Sequence, residues 1–394
     1  MLKVLTLNNI SVKGLERFPR DHYEVASEIP GPDAILVRSA KMHDMEIADS
    51  LKAVARAGAG TNNIPVERMN DAGVVVFNTP GANANAVKEL VMAGLFMSSR
   101  NICQAWDYTR NLTATGDELN RQVEAGKKQF VGGELPGKTL AVIGLGAIGV
   151  EVANMAIKLG MRVVGYDPVM TVARAWQLSS DVVQAHSVEE AMTQSDFVTV
   201  HVPLLDATRH LVNEERLRLL AKGAVVLNFA RGGIIDDQAV MTALDEGHLA
   251  FYLSDFPTEA LRAHEQVIAL PHLGASTGEA EENCAVMAAN QLIDYLENGN
   301  IKNSINLPEA AMPRAKGSPR LSIVHDNVPN MVGQISTALA DKNINIIDML
   351  NKSREKMAYT LVDVENSGLA GDAAASLCGA LMAIEGVRSV RLLD

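Results

Sequence analysis

Three polar side chains in the second half of the chain have the types needed to move a proton and hold an anion. They are Arg231 in Asn228-Phe229-Ala230-Arg231-Gly232-Gly233, Glu259 in Asp255-Phe256-Pro257-Thr258-Glu259, and His272 in Pro271-His272-Leu273-Gly274-Ala275-Ser276-Thr277. A neutral imidazole accepts a hydroxyl proton near neutral pH. A carboxylate on its other ring nitrogen fixes the tautomer and stabilises the imidazolium that forms. A guanidinium grips an α-hydroxy carboxylate at two points, which lysine cannot reproduce. Singly, each residue has a plainer reading: a surface arginine, a solvated loop acid, a packed histidine. As a set they fit oxidation of a secondary alcohol without a metal, which also requires a hydride acceptor.

The chain carries a site for such an acceptor. Gly144-Leu145-Gly146-Ala147-Ile148-Gly149 follows an apolar run, Thr139 to Ile143, and opens a helical pattern. Glycines there turn tightly and let backbone amides approach a pyrophosphate at a helix N-terminus. The string alone is a weak signal. The next strand-like run, Arg162 to Tyr166, ends at Asp167, 18 residues past Gly149. A carboxylate there accepts hydrogen bonds from ribose hydroxyls and repels a 2′-phosphate, so the pattern predicts NAD over NADP.

The elements that must position these residues are α/β. Short β-branched runs at 34–38 and 74–78 precede a long periodic segment from about Ala86 to Cys103, and further strand-like runs lie at 197–202, 224–229 and 250–255. The alternation predicts doubly wound parallel sheets. The simplest architecture is discontinuous: residues 1–94 with 273–307 as a substrate-binding domain, and 95–272 inserted as the Rossmann domain. Residues 308–319, with Pro308, Pro313 and Pro319, read as a linker. From 320 to 394 the order strand, helix, strands, helix, strand predicts a small ferredoxin-like α+β unit.

Taken in order, the G-x-G-x-x-G, N-x-x-R-G, D-x-F-x-x-E-type and P-H-x-G-x-S/T segments resemble those of the D-2-hydroxyacid dehydrogenase family. The resemblance spans essentially the whole chain and implies two Rossmann/flavodoxin-like domains. It also implies His272 as acid/base, Glu259 as its orienting partner and Arg231 as the substrate clamp. The step from Asp255 to Glu259 is one residue shorter than usual in the family, and Glu265 is the other acid nearby. The cofactor would lie against Gly144, Gly146, Ala147, Ile148, Gly149 and Asp167, and against Pro203, Thr208, Ala230 and Asp255. Family loops that hold the substrate carboxylate are similar to 56–63 and 78–83, which points to Arg56, Gly58, Ala59 and Gly60, with Arg38 beside them.

Members that oxidise 3-phosphoglycerate are the nearest in pattern, through Val37-Arg38-Ser39-Ala40, Arg56-Ala57-Gly58 and the C-terminal unit. That unit resembles an ACT domain, a module that pairs edge to edge and binds amino acids. Its matching effector positions are His325, Asn327 and Asn345, with L-serine as the implied ligand, while Asn330 stands where such loops commonly have glycine. A glyoxylate or hydroxypyruvate reductase would share the same triad. A non-catalytic NAD-sensing scaffold is the reading from another class.

Composition narrows the partners. A chain of 394 residues with 47% hydrophobic side chains supports more than one core. Its net charge of −12 argues against a nucleic-acid surface. No run of about 18 apolar residues suggests a membrane span, and the run from Met1 to Leu7 lacks the pattern of a signal peptide. The cysteines, Cys103, Cys284 and Cys378, have no metal or disulfide spacing, so a reducing cytoplasm is expected. Small molecules are the expected partners. The segment from about Ala105 to Val131 reads as an arm that needs a second subunit, hence a homodimer or homotetramer.

Overall fold

The computed structural model describes residues 1–314, 317–365 and 369–393. The chain divides into two compact units, one of Met1–Ala82 with Glu281–Asp394 and the other of Asn83–Ala280.

The first unit opens with β1 (Leu2–Leu7), β2 (Tyr23–Ala26), β3 (Ala34–Val37), β4 (Ala53–Arg56) and β5 (Val75–Phe77). These form a parallel sheet in the order β2-β1-β3-β4-β5. The strand order reverses between β1 and β3, and ligands of open α/β sheets bind at the carboxyl ends beside such a switch. The helix Gly278–Asn298 covers one face of this sheet, contributing Ala288, Ala289, Leu292 and Tyr295 to a core shared with Val4, Leu36, Ala55 and Phe77.

The second unit contains β6 (Thr139–Ile143), β7 (Arg162–Tyr166), β8 (Val183–Gln184), β9 (Phe197–Val200), β10 (Ala224–Asn228), β11 (Leu249–Ser254) and β12 (Val267–Ala269). They make a 7-stranded parallel sheet, β12-β11-β10-β9-β6-β7-β8, with its switch between β6 and β9. Because both faces are covered, its central strands are continuous apolar runs such as Leu140-Ala141-Val142-Ile143.

The periodic segment from Ala86 to Cys103 is not one helix. It breaks after the helix Ala84–Ser99 at Asn101, whose φ of 49° is left-handed, before a second helix, Ile102–Arg110. Asparagine tolerates that conformation better than most residues. The first of these helices buries Val87, Val91 and Leu95 in the core of the second unit. The boundaries between units consequently fall at residues 82/83 and 280/281 rather than 94/95 and 272/273.

The C-terminal segment contains β13 (Arg320–Asp326), β14 (Ile346–Arg354), β15 (Met357–Val364) and β16 (Val387–Leu393), with helices Met331–Ala340 and Asp372–Met382. Its antiparallel sheet has the order β14-β15-β13-β16, the ferredoxin-like arrangement. It has a core of its own around Leu321, Ile323, Ile335, Val362 and Leu377. Together with the preceding segment it caps the end of the helix Gly278–Asn298, whose last turn of carbonyls takes side-chain donors. Arg391 donates to Tyr295 O and Leu296 O, Arg314 to Glu297 O, Arg320 to Asn298 O and the Tyr359 hydroxyl to Gly299 O.

The stretch 308–319 is partly packed, with exposed residues such as Glu309, Ala311 and Pro313 alternating with buried ones. Ala310 pairs with Ile301, and Ala310 and Met312 are buried. Residues 315 and 316 lie outside the described residues. Among the described residues no helix is long and apolar enough to cross a membrane, and no cluster of side chains could hold a metal ion.

Candidate active site

At the switch point of the 7-stranded sheet, β6 runs into the glycine turn. Gly144 has φ +93°, and a Cβ there would come within 2.7 Å of His201 O. A Cβ on Gly149 would run into the Gly144 carbonyl, so both positions require glycine for the tight turn. Gly146, the N-cap of the helix Ala147–Lys158, has open space where its Cβ would be. This is the cradle that a pyrophosphate oxygen needs beside free helix amides, with Ala147 and Ile148 in the first turn. Asp167 is half-buried at the end of β7 and braces the turn: Oδ2 accepts from Leu145 N at 2.8 Å and Oδ1 from Val169 N at 2.9 Å. Each carboxylate oxygen retains lone-pair capacity for a ribose hydroxyl. The residues present therefore fit a dinucleotide.

Pro203 and Thr208 come together in the loop after β9, where the Thr208 hydroxyl bonds Pro203 O at 2.5 Å and accepts from Leu205 N at 2.8 Å. Ala230 N donates to Asn228 Oδ1 at 3.2 Å at the end of β10. His201, just past β9, was not singled out from the sequence. Its Nε2 lies 3.0 Å from Thr199 Oγ1, while its buried Nδ1 has no partner among the described residues. Burial pushes this imidazole down to about 3, so the ring stays neutral.

Arg231, Glu259 and His272 follow β10, β11 and β12, adjacent strands along one edge of the same sheet. The topology thus brings all three to the carboxyl edge, where ligands of such sheets bind. Their side chains are exposed, and among the described residues no hydrogen bond or ion pair joins any two of them. Glu259 is the first residue of a short helix capped by Thr258 Oγ1. Arg231 Nη1 donates to Ala230 O at 2.6 Å. His272 has a left-handed φ of 56°, and its ring stacks obliquely on Phe256 with centroids 5.0 Å apart.

What holds the histidine loop is Asp255, read from the sequence as a cofactor contact. It is 1% exposed. Its Oδ1 accepts from Leu273 N at 2.9 Å and its Oδ2 from Gly274 N at 2.7 Å. No motif in the sequence signals this role, because the partners are backbone amides 18 and 19 residues away.

The substrate candidates gather in the first unit. Arg38 follows β3 at the β1/β3 switch, and Arg56 at the end of β4 donates from Nε to Arg38 O at 2.9 Å. Gly58 lies against the Arg56 guanidinium, with 3.5 Å from a notional Cβ to Cζ. Ala59 O accepts from Asn78 Nδ2 at 2.7 Å, which ties the loop leading to Gly60 to the loop after β5.

The effector candidates do not form one site within the chain. His325 is 1% exposed, and its ring nitrogens are taken by Asp326 O and Thr360 Oγ1, both at 2.8 Å. Within the chain it is a buried sheet residue whose basicity burial lowers. Asn327 donates to Glu355 O at 3.0 Å and Asn345 to Glu365 Oε1 at 2.9 Å. The register of β13 and β14 on β15 puts these asparagines at opposite ends of the sheet. Asn330, with φ 64°, adopts the left-handed conformation that a glycine would supply.

Residues 93–274 match the family model described as "D-isomer specific 2-hydroxyacid dehydrogenase, NAD binding domain". The chain is 33% identical to a D-3-phosphoglycerate dehydrogenase of Haemophilus influenzae, over 89% of this chain and 83% of that protein. It is 34% identical to the D-3-phosphoglycerate dehydrogenase of Methanocaldococcus jannaschii, over 83% of this chain but only 61% of that longer protein. Among solved structures, an NAD+-bound 3-phosphoglycerate dehydrogenase of Entamoeba histolytica has 25% identity and a TM-score of 0.61, covering 77% of this chain and 98% of that one. The chain belongs to the D-isomer-specific 2-hydroxyacid dehydrogenase family.

Proposed function

We propose that the chain oxidises the C2 hydroxyl of 3-phosphoglycerate to the corresponding keto acid, with NAD as cofactor. The observation that carries the reading is the placement of Arg231, Glu259 and His272 at the carboxyl ends of neighbouring parallel strands. When bound, NAD supplies the hydride acceptor. His272 takes the hydroxyl proton, Glu259 stabilises the imidazolium on substrate-induced tightening, and Arg231 holds the carboxylate and carbonyl oxygens. Arg38 and Arg56 supply positive charge for the distal phosphate. The C-terminal unit acts as an ACT-type module that pairs copies of the chain through an exposed edge and takes L-serine with Asn327 and Asn345 from different copies. A homodimer or homotetramer in the cytoplasm is the working assembly.

The decisive experiment follows NADH absorbance with phosphohydroxypyruvate, hydroxypyruvate and glyoxylate in turn. The phosphorylated keto acid is the expected best substrate, and a preference for glyoxylate would reassign the chain to the reductases of the family. His272→Asn should lower turnover by about 10²-fold or more while NADH still binds. Near-normal turnover would remove His272 from the mechanism.

A further inference from the structure

Arg38 has a rigid base and a side chain with one anchor. Its backbone is pinned because Asn8 Oδ1 accepts from Ser39 N at 3.1 Å and Ala40 N at 2.5 Å, while Arg38 O accepts from Arg56 Nε at 2.9 Å. Among the described residues its guanidinium makes one hydrogen bond, Nη2 to Glu281 Oε1 at 2.5 Å. Nε and Nη1 make no hydrogen bond among the described residues, so donors of the planar group remain for a ligand on a side chain that is 41% exposed.

Glu281 stands on a helix, with its side chain 43% exposed. It lies in the first turn of the helix Gly278–Asn298, and one turn further on Gly14 approaches Ala285 so closely that a Cβ at residue 14 would sit 2.6 Å from Ala285 Cβ. The next residue, Glu282, pairs with Lys13 at 2.5 Å. The buried Cys284 thiol, one helical turn on, feels the charges of Arg38, Arg56 and Glu281, so two cations and one anion surround the same spot.

We infer that Glu281 is a positioning residue for substrate discrimination: it fixes the Arg38 guanidinium so that its remaining donors meet a distal anionic group on the hydroxy acid. The inference rests on the proposed phosphoglycerate reading. Glu281 does not touch the reacting atoms. It holds a flexible cation in one orientation, which reduces the entropy lost when an anion is bound. Its own negative charge sets the cost of that service, since it partly cancels the field of Arg38.

Three variants separate these effects. Glu281→Ala removes the hold and Glu281→Asp shortens it, so each should raise KM for phosphohydroxypyruvate about three- to ten-fold, the net value of one ordinary, solvent-screened hydrogen bond, with kcat nearly constant. Glu281→Gln keeps an acceptor of the same length without the charge, so its KM should return to the parent value or fall below it. KM for hydroxypyruvate, which has no phosphate, should hardly move in any of them. Equal changes for both substrates, a change confined to kcat, or no change at all in Glu281→Asp would overturn the inference and leave Glu281 a surface ion pair. If the parent enzyme itself prefers hydroxypyruvate, the phosphoglycerate reading falls first.

Discussion

The carboxylate of Asp255, buried at the end of β11, accepts the backbone amide of Gly274 at 2.7 Å, two residues past His272. Its other oxygen takes the amide of Leu273 at 2.9 Å. Both oxygens thus fasten the loop that presents the imidazole, and the left-handed backbone of His272 depends on that fastening. A carboxylate suits the site because it is purely an acceptor facing two donors.

Asp255→Asn replaces one acceptor with an NH2 that confronts a backbone N–H. An unsatisfied buried donor costs about 1–3 kcal/mol. The expected outcome is a kcat at least about ten-fold lower, since misplacing a catalytic group is costly, with a smaller change in the dissociation constant of NADH measured by fluorescence. A variant with parental kcat would show that the histidine loop holds itself.

Asp167→Ala should relax the choice of cofactor towards NADP, because the repulsion of a 2′-phosphate disappears with the carboxylate. The brace to Leu145 N and Val169 N adds a second consequence. NADH binding should weaken as well, because the turn that carries Gly146 loses its support. Ratios of kcat/KM for NADH and NADPH, parent against variant, test both effects; an unchanged ratio would mean that Asp167 supports the turn without reading the ribose.

The pH dependence of stability should carry the signature of His201. Its folded pKa is about 3, below the ordinary value of 6.5, so the unfolded chain binds the proton more tightly. Above pH 6.5 both states are neutral and this residue adds no slope. Below it, stability falls by about 1.4 kcal/mol per pH unit until the folded pKa is reached. His325, lowered by burial in the C-terminal sheet, acts in the same direction. Urea unfolding at pH 7 and pH 5 should therefore show a marked loss that His201→Asn reduces, and an equal loss in parent and variant would exclude His201 as its source.

The sequence made the glycine turn, the parallel sheets and the three strand-end residues legible because each is encoded locally: a glycine spacing, an apolar run, a polar residue just after a strand. Asp255 and Glu281 were not legible as positioning groups. Asp255 works on backbone amides in a separate loop, and Glu281 reaches Arg38 across 243 residues of chain. The break at Asn101 escaped for a different reason, since apolar periodicity continues through it and only the backbone conformation interrupts the helix. The packing of 308–319 escaped because prolines mark irregular backbone, not whether a neighbour such as Arg320 bonds its carbonyls.

Arg320 and Asp363 carry the last prediction. Both side chains are essentially without solvent exposure, at 0% and 1%, and they pair at 2.5 Å and 2.8 Å through two parallel bonds. The remaining donors go to Asn298 O, Met312 O and Pro313 O, so the guanidinium joins the C-terminal sheet to the helix end and to the preceding segment. Removing one partner strands a buried charge, at a cost of about 3–5 kcal/mol. Asp363→Leu should therefore lower the melting temperature strongly. Arg320→Met with Asp363→Leu together should recover part of the loss, because two apolar groups need no partners; the carbonyls of residues 298, 312 and 313 would still lose their donor, so recovery should be incomplete. Calorimetry on the single and double variants tests this, and a double variant no more stable than Asp363→Leu would mean that the bonds from Arg320 to those carbonyls outweigh the ion pair itself.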